Sequence, residues 1–235
     1  MLILAFETTA KSCSVALHDG RKLLAESYQN SGLTHSQTLM VMAQDLLKVC
    51  GRTAADVTHL AVAAGPGSFT GVRIGVSAIK GMAHGAGKPC VGVDALEALA
   101  CGVCMNDMLL CPIQDARAGQ VYGAAFQPGM PPVRQLPDMA EKLPVFIEKA
   151  LEKAEGRKLC FIGDGVKTYR KTIEELLGER AVFAPAHMSY LRPASVALLA
   201  ELRKEEAVDY LTLMPVYLRA PQAERERARK LGGQA

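Results

Sequence analysis

The sequence predicts an α/β or α+β protein built as two similar lobes. Apolar runs of strand length alternate with segments whose apolar residues recur every three or four positions. Each half of the chain opens on a hairpin and then goes on to alternate strands and helices. No close repeat relates the halves, so the likeness is one of element order. The lobes are placed at residues 1–108 and 109–219, with a basic charged tail over 220–235.

The first lobe starts with an apolar strand at 2–6. CSVALHDG alternates and ends in Asp19-Gly20, a pair suited to a tight hairpin turn, and RKLLAESYQ returns. A helix begins near Thr34 or Ser36, each able to cap its N-terminus, and runs to about Cys50, with Gly51 as its stop. HLAVAAG is the fourth strand, 70–86 a second helix and 90–93 a short strand, and a third helix starts near Asp94. In the second half, LLCPIQDARAGQVYGAAFQ reads as two strands about a turn at 117–120. Pro128 to Pro137 holds four prolines and reads as loop, and MAEKLPVFIEKALEKA reads as helical in large part. KLCFIGDG is a strand entering a turn, and TYRKTIEELLG and ASVALLAELRKEE are amphipathic helices.

Composition limits the function classes. The chain has 235 residues, 49% hydrophobic and 22% charged, which fits a globular protein with a substantial core. No apolar run reaches the roughly 18 residues of a membrane span. MLILAFETTAKS lacks the basic start of a signal peptide, so a cytoplasmic protein with no membrane partner is expected. Seven cysteines without an export signal predict reduced thiols. Cys101 and Cys104 form a CxxC with no second ligand pair, which reads as incidental thiols. The net charge of +3 sits wholly in 219–230, where five cations face two anions. The body therefore sums to zero and has no broad field to attract nucleic acid. The tail AERERARKLGGQA reads as a solvated terminus.

AVAAGPGSFTGVRIGVSAIKG, residues 61–81, has the form of a strand, a glycine turn and a helix. That device offers backbone N–H groups and a helix dipole to an anion. The common phosphate motifs fail, however. Val72 stands where a P-loop needs lysine, and the third glycine of Gly65, Gly67 and Gly71 falls one position late for GxGxxG. Glycines in such a turn also serve simply to bring a helix close to a sheet.

The two helices of this lobe carry more apolar residues than one core face needs. Val72, Val76, Ile79 and Ala83 form one stripe, with Ile74, Ala78, Met82 and Gly75 beside it. In the earlier helix, Leu39, Met42, Leu46 and Val49 form one stripe, and Met40, Ala43, Leu47 and Cys50 another. Either the helices are buried within one core, or a second subunit covers the outer stripes.

AFETT at 5–9, GPGSFTGVRIG at 65–75, DARAGQVY at 115–122, GDG at 163–165 and YLR at 217–219 together resemble the TsaB family, also called YeaZ. The resemblance implies two lobes of the actin-like and sugar-kinase (ribonuclease H-like) type, each a five-stranded sheet with helices. It implies a non-catalytic partner of a TsaD-like enzyme, which transfers a threonylcarbamoyl group to N6 of the adenosine beside the tRNA anticodon. It also implies a TsaE-like ATPase in the complex, tRNA contact through the complex, and a homodimer when alone. The pairing surface it implies is His35, Leu39, Met42, Leu46, Ile74, Gly75, Ala78 and Met82.

TsaD-like proteins carry an HxxxH helix after the glycine helix, whose histidines share one face and one metal ion. Ala95 and Leu99 stand at those positions, and the five histidines, at 18, 35, 59, 84 and 187, form no other such pair. Neither a catalytic role nor a metal nor a required cofactor is therefore expected. A degenerate nucleotide site remains as a reading, with weak ATP or ADP binding at Glu7, Thr8, Thr9, Gly65, Gly67, Ser68, Asp115, Gly163 and Gly165. The competing reading is an ATP-dependent phosphotransferase or ATPase acting on its own, with one acid in each lobe placing Mg²⁺. A homodimer holding an unrelated ligand between the lobes is a third.

Overall fold

The computed structural model describes residues 1–103 and 105–219; Cys104 and the basic tail lie outside the described residues. The first sheet holds β1 (Ile3–Glu7), β2 (Cys13–His18), β3 (Leu23–Gln29), β4 (His59–Gly65) and β5 (Cys90–Asp94) in the order β3-β2-β1-β4-β5. The second holds β6 (Met108–Asp115), β7 (Gln120–Gln127), β8 (Val133–Lys142), β9 (Lys158–Ile162) and β10 (Ala181–Phe183) in the order β10-β9-β6-β7-β8. Each sheet is thus an antiparallel meander of three strands extended by two parallel ones. The same topology is built twice, as the element order predicted.

Among the described residues, six α-helices accompany the strands: α1 (His35–Val49), α2 (Phe69–Ala86), α3 (Ala95–Cys101), α4 (Leu143–Ala154), α5 (Gly165–Leu177) and α6 (Pro193–Leu202). Thr34 is the N-cap residue of α1, and Asp94 caps α3 by accepting the Glu97 N–H at 2.7 Å. The second lobe departs from expectation at β8. Pro137 and the residues after it form a strand rather than a loop and a helix, and α4 starts only at Leu143. Proline is tolerated because β8 is an edge strand and its pairing with β7 is irregular next to Pro137.

Three apolar clusters hold the fold. α1 and α2 cover the outer face of the first sheet, burying Leu39, Leu46, Val72, Val76 and Ile79 with Leu4 and Phe6. α4 and α5 cover the outer face of the second, around Phe146, Ile173 and Phe161. Between the sheets lie α3 and α6, which cross over: α3 packs on β6 and β7, and α6 on β1 and β2. Each lobe therefore lends a helix to the other.

Polar side-chain pairs repeat the exchange. His18 Nδ1 lies 3.3 Å from Glu201, Arg192 pairs with Glu26, and Arg203 pairs with Glu97. The chain also returns to the first lobe after α6. Val208 pairs with Cys90, Leu213 is buried under the first sheet, and the Val216 N–H donates to the Ala64 carbonyl at 2.7 Å. Residues 208–216 thus pack with the first lobe, although they follow the second in sequence. No described helix is long and apolar enough to cross a membrane.

Candidate functional site

A cleft of about 490 Å³ opens between the lobes at the ends of β1, β4, β6 and β9. Thr9, Lys11 and residues 66–70 line it from the first lobe, and Gln114, Asp115, Asp164 and Lys167 from the second. Residues 216–219 form part of its wall.

Of Glu7, Thr8 and Thr9, only Thr9 faces this space. Glu7 is fully buried, and its Oε1 accepts the Thr9 N–H at 2.5 Å and the Thr9 hydroxyl at 2.6 Å. Burial pushes the Glu7 carboxyl up to about 7; the Thr9 bonds oppose the shift and the Asp164 charge adds to it. Thr8 turns the other way and donates its hydroxyl to the Gly71 carbonyl at 2.7 Å. Glu7 and Thr8 therefore support the turn from behind, and neither lines the cleft as the sequence reading had placed them.

The glycines have the same explanation. A Cβ on Gly67 would stand 2.5 Å from the Thr9 carbonyl oxygen, one on Gly71 would strike the Thr8 carbonyl, and one on Gly75 the Thr8 hydroxyl. The Ser68 N–H donates to the Thr9 carbonyl at 2.7 Å, and the Ser68 hydroxyl accepts the Gly71 N–H at 3.3 Å as the cap of α2. The open face of Gly65 is filled by the Val216 carbonyl. The spacing that fits no phosphate motif thus serves to lay the head of α2 and the C-terminal segment directly on backbone. In the second lobe Gly163 and Gly165 do likewise against the Ile113 carbonyl, and neither lines the cleft.

The second wall centres on two acids. Asp115 Oδ1 accepts the Arg117 N–H at 2.8 Å and the Tyr169 hydroxyl at 3.1 Å, and Oδ2 accepts the Thr168 hydroxyl at 3.3 Å. It holds a turn in which Arg117 and Ala118 both have positive φ, 64° and 52°. Burial, then the Asp115 charge and bond, push the Tyr169 phenol up to about 12. Asp164 accepts the Asp115 N–H at 3.3 Å, and burial pushes its carboxyl up to about 6. Sequence reasoning missed Asp164, although it sits between the two glycines of GDG. It also missed Gln114, whose Nε2 donates to the Thr9 hydroxyl at 3.1 Å across the lobes.

A second surface lies on the outer side of α1 and α2. Met42, Ile74, Ala78 and Met82 are half-buried, packed against the core but still reaching solvent. His35 is half-buried at the head of α1, with Nε2 3.3 Å from the Lys11 carbonyl. Leu39 and Leu46 do not belong to this surface. The buried face of α1 is Leu39, Ala43, Leu46 and Leu47, which cuts across both stripes read from the sequence and leaves Met40, Val41 and Val49 outside. Gly75 is buried against Thr8 and Val62 and is likewise withdrawn from the surface.

Comparison with known proteins places this architecture. The family model described as "TsaD: tRNA N6-adenosine threonylcarbamoyltransferase" matches residues 29–227. The tRNA threonylcarbamoyladenosine biosynthesis protein TsaB of Bacillus subtilis is 35% identical over 225 residues, covering 95% of this chain and 96% of that protein. The chain belongs to the TsaB family. The Escherichia coli TsaB is 33% identical, over 93% of this chain and 95% of its own. The solved structure of YeaZ from Pseudomonas aeruginosa superposes with a TM-score of 0.73 at 26% identity, covering 92% of this chain and 99% of that one.

In this TsaB-family chain Ala95 and Leu99 sit one turn apart on α3, both buried between the lobes. Among the described residues no three His, Cys, Asp or Glu side chains are grouped to hold a metal ion. Next to them Glu97, also buried, pairs with Arg203, while Arg134 reaches Asp94 at 3.2 Å. α3 thus carries apolar packing and ion pairs.

Proposed function

We propose that this chain serves the formation of N6-threonylcarbamoyladenosine in tRNA as a non-catalytic partner that activates a TsaD-like transferase. The observation that carries the reading is identity of about one third, over nearly the whole length, to proteins named for the biosynthesis of that nucleoside. The site chemistry supports it. Glu7 is sealed behind Thr9, Asp115 is committed to a turn, and Ala95 and Leu99 fill the core. The side chains left for solvent in the first lobe suit docking rather than bond making.

The partner docks on the outer face of α1 and α2, through Met42, Ile74, Ala78 and Met82 with His35 at its edge. Half-buried apolar side chains on a rigid helix pair form such a contact at low entropic cost. The same face pairs two copies when the TsaD-like subunit is absent. A TsaE-like ATPase joins the complex, and tRNA is met through the assembly. No cofactor is required by this chain, and any ATP or ADP affinity is weak.

Light scattering on a mixture with a TsaD-like protein tests the docking. The mass of a 1:1 complex is expected, and unchanged separate masses would overturn the reading.

A further inference from the structure

We propose that Arg73 is the anchor that makes the docking face prefer an acidic protein surface over a second copy of this chain, and that the face extends from α2 onto an apolar strip at residues 211–217. The inference rests on the docking reading above and names the chemistry of the partner: the TsaD-like subunit brings a carboxylate, flanked by apolar side chains, to the first turns of α2.

Arg73 is held ready for such a group. Its guanidinium carbon lies 4.2 Å from the centre of the Phe69 ring, and its Nε donates to the Tyr217 hydroxyl at 3.0 Å. The Tyr217 ring in turn stands 4.8 Å from that of Phe69. Stacking and this bond fix the fork but use neither Nη group. Arg73 is exposed, and among the described residues no acid pairs with it. A fork fixed in this way takes a carboxylate through two bonds at low entropic cost. Beside it a groove of about 320 Å³ is lined by Phe69, Thr70, Arg73, Ile74 and Ser77. Ile74 belongs to the docking face, so the groove continues that face.

The strip runs antiparallel to α2, from Lys80 back to Phe69. Leu211, Met214, Val216 and Tyr217 are 68%, 64%, 44% and 41% exposed, four large apolar side chains in seven positions. Their backbone is pinned. Lys80 Nζ donates to the Leu213 carbonyl at 3.1 Å and the Leu211 carbonyl at 3.5 Å, Leu213 is buried, and the Val216 N–H donates to the Ala64 carbonyl at 2.7 Å.

Charge decides the occupant. α1 and α2 carry Lys48, Arg73 and Lys80 against Asp45 as their only acid. The charge of Lys80 also acts on Asp209, which offsets part of it and leaves Arg73 as the outward cation of α2. Two copies face to face set this positive excess against itself, whereas an acidic surface meets it with the opposite sign. Salt screens both effects, so the two pairings respond to it in opposite directions.

Calorimetry measures pairing with a TsaD-like protein, and sedimentation equilibrium measures self-pairing, for the wild-type chain, Arg73→Glu and Leu211→Ser. Arg73→Glu is expected to weaken the mixed pair about tenfold or more while self-pairing stays equal or tightens. Leu211→Ser, at an exposed position, is expected to weaken the mixed pair about threefold or more. A second readout uses the wild-type chain only, so it decides even if Arg73→Glu does not fold: raising salt from about 0.05 M to about 0.5 M weakens the mixed pair and tightens the self-pair. A mixed pair indifferent to salt or to a folded Arg73→Glu, or an equal loss of both pairings in that variant, would overturn the selection by Arg73 and leave the docking face standing. An unchanged mixed pair in Leu211→Ser would overturn the extension onto the strip. No mixed pair even with the wild-type chain would overturn the docking reading and this proposal with it.

Discussion

The carbonyl oxygen of Val216 stands against the one face of Gly65 from which a side chain would project. Gly65 has φ +119°, so it is held in a conformation that L residues rarely adopt and in a space that no Cβ can share. Gly65→Ala is expected to cost about 1–3 kcal/mol of stability in urea unfolding. Gly81→Ala gives the contrast. Nothing lies within 4 Å of a Cβ there, and the residue is inside α2, so a gain of up to about 1 kcal/mol is expected.

Gly75 and Ala78 are neighbours on α2 with opposite consequences. Gly75→Glu drives a side chain into the Thr8 hydroxyl and Val62, and is expected to lower the thermal midpoint or prevent folding altogether. Ala78→Arg projects from the half-buried outer face and is expected to leave the midpoint within a few degrees. It should nonetheless abolish association with a TsaD-like protein in gel filtration. Unimpaired association of Ala78→Arg would remove Ala78 from the docking surface.

Glu7 gives the fold an unusual pH dependence. Its carboxyl titrates near 4.5 when unfolded and about 7 when folded, so between those values the native state holds the extra proton. Stability contributed by this group is full below pH 4.5, falls as pH rises to about 7 and is level above. Asp164, raised from 3.8 to about 6, acts in the same sense. Glu7→Gln keeps an acceptor for Thr9 and removes the titration. Its stability relative to wild type is expected to improve by about 2–3 kcal/mol between pH 5 and pH 8. Parallel profiles for the two proteins would show that Glu7 is not held protonated.

Arg203 ties α6 to the buried carboxylate of Glu97 on α3, so each of the two exchanged helices grips the other. Arg203→Ala leaves Glu97 with Arg134 at 4.0 Å as its remaining cation. A loss of about 1–3 kcal/mol in chemical unfolding is expected, and Arg203→Lys should recover part of it.

Element order was legible in the sequence because turn chemistry and periodicity are local. Asp19-Gly20, Thr34 and Gly51 mark boundaries that the structure keeps. β8 was not legible, because four prolines suppress a strand reading and only tertiary position shows that Pro137 lies on an edge. The direction of the helix stripes was not legible either. Leu39 and Leu46 read as outer residues because two overlapping stripes leave the inward face undetermined until the sheet is in place. The glycine turn showed its close approaches but not their object. Thr8, Thr9 and Val216 lie 58 to 151 positions from the glycines they touch, and no spacing rule reaches that far. YLR at 217–219 was visible as a motif, but its place across the cleft follows only from the return of residues 208–216 to the first lobe.

The central claim is that a TsaD-like transferase needs this chain as a docked activator that does no chemistry of its own. The direct test reconstitutes the tRNA modification from a TsaD-like enzyme, a TsaE-like ATPase, threonylcarbamoyl-adenylate and tRNA, and measures N6-threonylcarbamoyladenosine by mass spectrometry. Product is expected with the wild-type chain, and at least tenfold less when the chain is omitted or replaced by Ala78→Arg. Equal product without the chain would contradict the account.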